Sequence, residues 1–154
     1  MKNGKMLLKI ALTASLIGAA SGATAQTADW RRLGRDGPFE IAVDVGSFTG
    51  SRTERAARTL MVPLEEGAGA LYMVINVRID CEGRTISAVS AIAYDAEGSL
   101  LGEGALEPDT SAVEESDPSL RMARAVCDGV EIDGQAFDSA ASFANWAATR
   151  QIEP

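Results

Sequence analysis

The chain has 154 residues, a formal net charge of −8, two cysteines and no histidine. Such an acidic chain is poorly suited to nucleic-acid phosphates or anionic membrane surfaces, which both attract positive charge. The lack of histidine excludes catalytic triads that use it and removes the commonest metal ligand. We therefore expect no nucleic-acid partner, no cofactor and no metal.

The first 25 residues have the pattern of an export signal. Lys2, Lys5 and Lys9 precede an apolar run over residues 10–22, and small residues follow up to Ala25. The run is shorter than the roughly 20 apolar residues that cross a bilayer. We expect cleavage after Ala25, no stable membrane anchor and a periplasmic or secreted product. Removal of three lysines and no acid leaves 129 residues and changes the net charge from −8 to −11.

A β-hairpin is predicted around Glu82-Gly83. The odd positions from Leu71 to Cys81 are apolar, and the even positions become polar from Asn76 onward, which is typical of a strand with one buried face. A two-residue loop at Glu82-Gly83 would place Ile79 opposite Ile86, Val77 opposite Ala88, Met73 opposite Ile92 and Leu71 opposite Tyr94. A second turn is predicted over residues 95–98, with a returning strand over 99–103.

Shorter strands are predicted upstream, over residues 30–33, 39–45 and 59–64. Residues 46–58 are polar and are predicted to form a loop. Residues 103–117 form a second predicted linker, with six acids and no base. These acids offer oxygen ligands for a hard cation such as calcium, but their spacing matches no calcium loop, and a solvated linker is the simpler interpretation.

A helix is predicted to start at Asp117-Pro118 and to end at Gly129. Asp is a good N-cap and Pro suits the first turn, while Gly favours the C-terminal cap. Cys127 lies on the apolar stripe of this helix, and Cys81 lies on the apolar face of its strand. Because an exported protein meets an oxidising compartment, we expect a Cys81–Cys127 disulfide that ties the helix to the sheet.

Three short motifs resemble the surface-adhesin protein E family of bacterial envelope proteins. They are Arg-Ile-Asp-Cys-Glu-Gly-Arg-Thr at 78–85, Tyr-Asp-Ala-Glu-Gly at 94–98 and Arg-Ala-Val-Cys at 124–127. The resemblance covers residues 30–127. It implies an antiparallel sheet of about six strands with a helix tied to one face by the two cysteines. The family is named after an adhesin that holds host extracellular proteins.

The tail is predicted to carry an additional helix over residues 138–150. Phe143, Trp146 and Ala147 share one side of it. We expect this side to cover a shallow patch on the second face of the hairpin, where the same register places Tyr72 opposite Ala93 and Val74 opposite Ala91. The alternative is that the tail is loose and the patch of Tyr72, Val74, Ala91 and Ala93 binds a partner.

Arg52, Arg55 and Arg58 form the one basic cluster, on the predicted polar loop. Arginine side chains suit carboxylates and phosphates, so an anionic partner is one interpretation and a solvated loop is the other.

The predicted fold is α+β: an antiparallel sheet of about six strands, a C-terminal helix tied to one face by a disulfide, and an extra C-terminal helix. The predicted organisation is a signal peptide over 1–25, a protein E-like domain over 26–129 and an extension over 130–154. We expect a non-enzymatic envelope protein that binds another protein of unknown identity. An exported enzyme that uses carboxylates and a structural envelope factor are the alternatives.

Overall fold

The computed structural model describes residues 27–64, 72–107, 109–115 and 118–150. These residues form an antiparallel sheet of eight strands and two helices. The elements in chain order are β1 (Trp30–Asp36), β2 (Phe39–Gly50), β3 (Glu54–Pro63), β4 (Tyr72–Asp80), β5 (Thr85–Tyr94), β6 (Leu100–Ala105), β7 (Thr110–Ala112), α1 (Pro118–Asp128), β8 (Ala136–Phe137) and α2 (Ala140–Thr149).

The strands run across the sheet in the order β6-β5-β4-β3-β2-β1-β8, and β7 also pairs with β5. The predicted antiparallel sheet and both helices are confirmed. The expectation of about six strands is too low, because the short strands β7 and β8 each add to the sheet. The predictions that concern residues 1–25, Leu71 and Asp117 lie outside the described residues.

The predicted loop over residues 46–58 is wrong. Strand β2 continues to Gly50 and β3 begins at Glu54, so only Ser51 to Thr53 turn the chain. The Ser51 amide donates to the Glu54 carbonyl at 2.9 Å, and the Ser51 hydroxyl accepts from the Glu54 amide at 3.1 Å. Main-chain pairing is irregular between Asp44 and Thr49 and resumes at the pairs Thr49–Ala56 and Gly50–Arg55, in a polar sequence that has no clear period of two.

The hairpin of β4 and β5 has the predicted register only near its turn. Ile79 lies opposite Ile86 and Val77 opposite Ala88, as expected. Beyond them the register shifts by one residue, because Val89 is an extra residue in β5.

Because of this bulge, the pairs predicted further along the hairpin are wrong. Met73 lies opposite Ala93 rather than Ile92, and the partner of Tyr94 is Tyr72. A hydrogen bond of 2.8 Å from the Asn76 amide group to the Ser90 hydroxyl joins the strands next to the shift.

Two hydrophobic cores lie on opposite faces of the sheet. The first is beneath α2, and its largest fully buried side chains are Phe143, Leu60 and Val62. The second is beneath α1 and includes the fully buried Leu33, Val43 and Ile79. The central strands contribute to both cores, which explains why apolar residues occur on both faces of β4.

The Cys81–Cys127 disulfide is confirmed. It joins the turn after β4 to the last turn of α1, with the two Cα atoms 5.5 Å apart. Next to it, the Arg84 guanidinium pairs with the Asp128 carboxylate at 3.0 Å. Gly129 follows the helix with a φ of 68°, which suits a left-handed helix end.

Candidate functional site

The predicted patch of Tyr72, Val74, Ala91 and Ala93 does not lie on one face. Tyr72 and Val74 are buried in the core beneath α2. The bulge at Val89 reverses the facing of the later part of β5, so Ile92 and Tyr94 are their cross-strand partners. Ala91 pairs with Ile75 and Ala93 with Met73, on the other face of the sheet.

The predicted tail helix, α2, therefore covers two of the four patch residues, Tyr72 and Val74. Phe143, Ala144 and Ala147 of α2 are buried against Tyr72 and Val74. The N-cap is Ser139, whose hydroxyl accepts a hydrogen bond from the Ser142 amide at 3.1 Å. The rings of Phe137 and Phe143 make a T-shaped contact, with their centroids 5.2 Å apart.

The three arginines do not form a cluster. Arg52 is exposed in the turn between β2 and β3, while Arg55 and Arg58 are an odd number of residues apart on an uninterrupted strand and project to opposite faces. Arg58 pairs with the buried carboxylate of Asp44 and lies 5.8 Å from the centroid of the Trp30 ring. Arg58 therefore stabilises the fold rather than forming an open anion site.

Strand β6 is an exposed edge strand of the described sheet. All six of its residues are exposed, including Leu100 at 57 % and Leu101 at 54 %. Among the described residues, β6 pairs only with β5, so its outer main-chain groups face no other strand. Unpaired edges of this kind accept strands from other chains.

The turn before β6 holds this edge in place. The Asp95 carboxylate accepts hydrogen bonds from the amides of Glu97 at 3.0 Å and Ser99 at 2.7 Å. Gly98 has a φ of 79°, a conformation that other residues rarely adopt. At the far end, the Leu106 amide donates to the Val89 carbonyl at 2.8 Å. The edge is therefore a fixed strand held at both ends.

A groove of about 500 Å³ crosses the sheet face that α1 partly covers. Its floor comes from four adjacent strands and is largely apolar: Ile41 on β2, Thr59 and Met61 on β3, Ile75 and Val77 on β4, and Ile86 and Ala88 on β5. Pro118, Ser119 and Met122 of α1 form one wall, and Ser111 and Ala112 of β7 form another. Met61, Ile75 and Ile86 are only partly buried, so the floor is open to solvent.

The rim of the groove carries acids and no base. Asp36, Asp109 and Glu114 line it. The sequence between Asp95 and Glu115 contains seven acids and no lysine or arginine. This segment includes both β6 and β7, so the exposed edge and the groove share an acidic border.

The sequence reasoning missed both the β6 edge and the groove. The strand itself was predicted over residues 99–103, but its two adjacent leucines were not singled out. The groove brings together side chains from β1 to β5, β7 and α1, which no local pattern could group.

The remaining chemistry of the described residues is sparse. They contain no group of three or more His, Cys, Asp or Glu side chains placed to hold a metal ion. Both cysteines are in the disulfide. Within the described ranges, no helix has the length and apolar character needed to cross a bilayer.

These features define a disulfide-tied α+β sheet protein with an exposed edge strand, β6, and an open groove beneath α1. No protein-family model matches the chain, and no curated protein matches it in sequence. Among solved structures, it is similar to protein E from non-typeable Haemophilus influenzae, with 12 % identity and a TM-score of 0.48. That alignment covers 79 % of this chain and 86 % of the other. At this identity and TM-score, the similarity shows neither the family nor the function of this chain.

Proposed function

We propose that this protein is a non-catalytic protein-binding module of the bacterial envelope, which binds an extended segment of its partner along the outer edge of β6. The observation that carries the proposal is the exposure of Leu100 and Leu101 on an edge strand with no outer neighbour among the described residues. In strand addition, main-chain hydrogen bonds supply affinity and side-chain contacts supply specificity.

The glycines of β6 favour close approach by another backbone. A side chain at Gly102 or Gly104 would meet nothing within 4 Å, so neither glycine is required by the packing of this chain. Glycine inside a strand can mark a place where a second backbone comes close. The leucines provide apolar contact beside these two open positions.

Charge indicates the chemistry of the partner segment. Glu103 lies on β6, and Glu97, Glu107 and Asp109 lie in the segments that flank it. A second copy of this acidic chain would bring like charges together, whereas a segment with lysine or arginine would complement them. We therefore assign the edge to a basic, extended segment of a different protein.

The proposal includes export and membership of the protein E family. Export is supported by the charged start, the short apolar run and the small residues before residue 26, together with the disulfide. Family membership is supported by the three motifs at 78–85, 94–98 and 124–127. N-terminal sequencing of the mature protein should read Gln26 as the first residue, and intact chain in the membrane pellet would contradict export.

Site-specific photo-crosslinking in the envelope tests the binding mode. A photoreactive residue at Gly102 should capture one basic protein in near-stoichiometric yield, while the same residue at Asn145, exposed on α2, should not. The variant Leu100→Thr/Leu101→Thr should lose the crosslink, and Val130→Thr should keep it, because Val130 is similarly exposed away from the edge. Equal capture at both positions would contradict the edge.

The two alternative functions give different results in the same material. An exported enzyme that uses carboxylates predicts turnover in a broad hydrolase screen, and such turnover would overturn the non-catalytic assignment. A structural envelope factor predicts capture at many surface positions, without dependence on the two leucines.

A further inference from the structure

The groove beneath α1 has a size and lining that the edge-binding proposal does not use. Its volume of about 500 Å³ is within the range of small-molecule sites. The floor consists mainly of aliphatic side chains and methionine, and four of them, Ile75, Ile86, Met61 and Ala88, are only partly buried. Open apolar surface of this kind gains free energy when an aliphatic chain covers it.

The charged groups at the rim of the groove are all negative. Asp36 approaches the groove from β1, and Asp109 and Glu114 approach it from either side of β7. None of the three forms an ion pair with another described residue, whereas Glu40, Asp44 and Asp128 each do. Three carboxylates around an apolar floor therefore lack a positive partner within the described chain.

The geometry points to a second binding site, for a small cationic amphiphile: an aliphatic chain on the floor of the groove and an ammonium group at the acidic rim that Asp36, Asp109 and Glu114 line. Charge complementarity selects this occupant over others. A fatty acid or an alkyl sulfate would place a negative head against the carboxylates, and a neutral lipid would leave them unpaired. The site lies on a face of the sheet and is independent of strand addition at β6.

The glycine and alanine positions beside the groove provide a route into it. Ala91 and Ala93 continue the same face of β5, and Gly102 and Gly104 are their neighbours on β6. These four residues have small or no side chains, so an aliphatic chain that extends beyond the groove along them meets a shallow surface.

Calorimetry with a matched pair of probes tests the inference on the purified, oxidised protein. The probes are decyltrimethylammonium and decyl sulfate, each below its micelle concentration. We expect the cation to bind at least about tenfold more tightly, because the carboxylates at the rim attract the ammonium group and repel the sulfate group. Equal affinities, or no binding of the cation, would overturn the proposal.

Two triple variants with the same change in net charge distinguish binding at the groove from attraction by the net negative charge of the chain. Asp36→Asn/Asp109→Asn/Glu114→Gln should abolish the preference for the cation. Glu97→Gln/Glu103→Gln/Glu107→Gln, on exposed positions outside the groove, should retain it. If both variants lose the preference equally, the cation responds only to the acidity of the chain and the assigned site is wrong.

Methyl resonances locate the ligand without any substitution. Saturating cation should shift the signals of Met61, Ile75 and Ile86, and leave those of Leu60 and Val62, which lie beneath α2, unchanged. The variant Ala88→Met should weaken binding by filling the floor while the carboxylates remain. Shifts confined to the face beneath α2 would contradict the groove even if the affinities were as expected.

Discussion

Asp44 is the most completely buried charged residue of the described chain, and four groups are arranged around it. Its carboxylate accepts hydrogen bonds from the amides of Asp29 at 2.9 Å and Gly46 at 3.1 Å, and pairs with Arg58. Its carbonyl accepts from the Ser47 hydroxyl at 2.6 Å. The residue thus joins the start of β1 to the irregular part of β2.

Replacing Asp44 should therefore be costly. In Asp44→Ala the two amides and the Arg58 guanidinium lose their acceptor, and we expect the free energy of unfolding to fall by about 3 kcal/mol. Chemical denaturation measures this. Glu54→Ala is the control, because the Glu54–Arg78 pair is more than half exposed on both sides and should contribute little. Equal losses in the two variants would contradict the assigned role.

The burial of Tyr72 predicts that the free energy of unfolding depends on pH in the alkaline range. Burial raises the pKa of the Tyr72 phenol above its ordinary value of 10.0, with smaller contributions from Tyr94 and Asp95. The folded protein therefore holds this proton to higher pH than the unfolded chain does. The contribution is fully present below pH 10 and is lost as the pH rises through the folded pKa.

We expect the free energy of unfolding to decrease above pH 10, and Tyr72→Phe to make that decrease shallower. Denaturation at several pH values between 9 and 11 measures the slope, within the roughly one-unit region around the ordinary pKa. An unchanged slope in Tyr72→Phe would show that other groups determine the alkaline behaviour.

At the scale of elements, the disulfide is the main link between α1 and the sheet beyond packing. It closes a loop with a sequence separation of 46 residues. The loop-entropy relation gives a stabilisation on the order of 4 kcal/mol for a loop of this length. The double variant Cys81→Ser/Cys127→Ser should lose that amount, and the reduced natural protein should melt at the same temperature as the variant. An unchanged melting temperature would contradict the link.

The tail supplies one of the two hydrophobic cores. Truncation after Gly129 removes Phe137, Phe143 and Trp146, and exposes the apolar side of Leu60, Val62 and Tyr72. We expect lost stability or new self-association, measured by thermal melting and size-exclusion chromatography. Phe143→Ala alone should cost about 3–5 kcal/mol because its side chain is fully buried. A truncated protein that stays monomeric and equally stable would show that α2 is dispensable.

The elements show what the sequence could predict and where it could not. The period of two in β4, the Pro and Gly at the ends of α1 and the aromatic side of α2 are local patterns, and each gave the correct element. The bulge at Val89 has no local sign, because Ala88-Val89-Ser90 is ordinary strand sequence. Its position depends on non-local contacts, the Asn76–Ser90 hydrogen bond and the stacked rings of Tyr72 and Tyr94, 4.9 Å apart.

The candidate site depends even more on non-local structure. Leu100 and Leu101 are visible in the sequence, but their exposure follows from the positions of α1 and α2, neither of which covers β6. The floor of the groove can be assembled only when the order of its four strands, β2 to β5, is known. The predicted arginine cluster was wrong for the same reason: alternation along β3 separates Arg55 from Arg58.

At the scale of the whole molecule, the hydrophobic cores and the proposed strand-binding edge lie in different regions. Each face of the sheet has a helix and a core, and the strand β1 is itself paired with β8. The opposite edge carries exposed leucines, glycines and an acidic border. The proposed activity therefore lies on the part of the described sheet that contributes least to its cores.

Hydrogen exchange with the captured partner tests the central proposal most directly. In the free protein, the outward amides of Leu100–Ala105 should exchange rapidly because no described strand pairs with them. Addition of the basic partner should slow exchange in this segment by at least about tenfold, while α1 and α2 change little. Unchanged exchange across β6 with protection at another surface would contradict binding by strand addition at this edge.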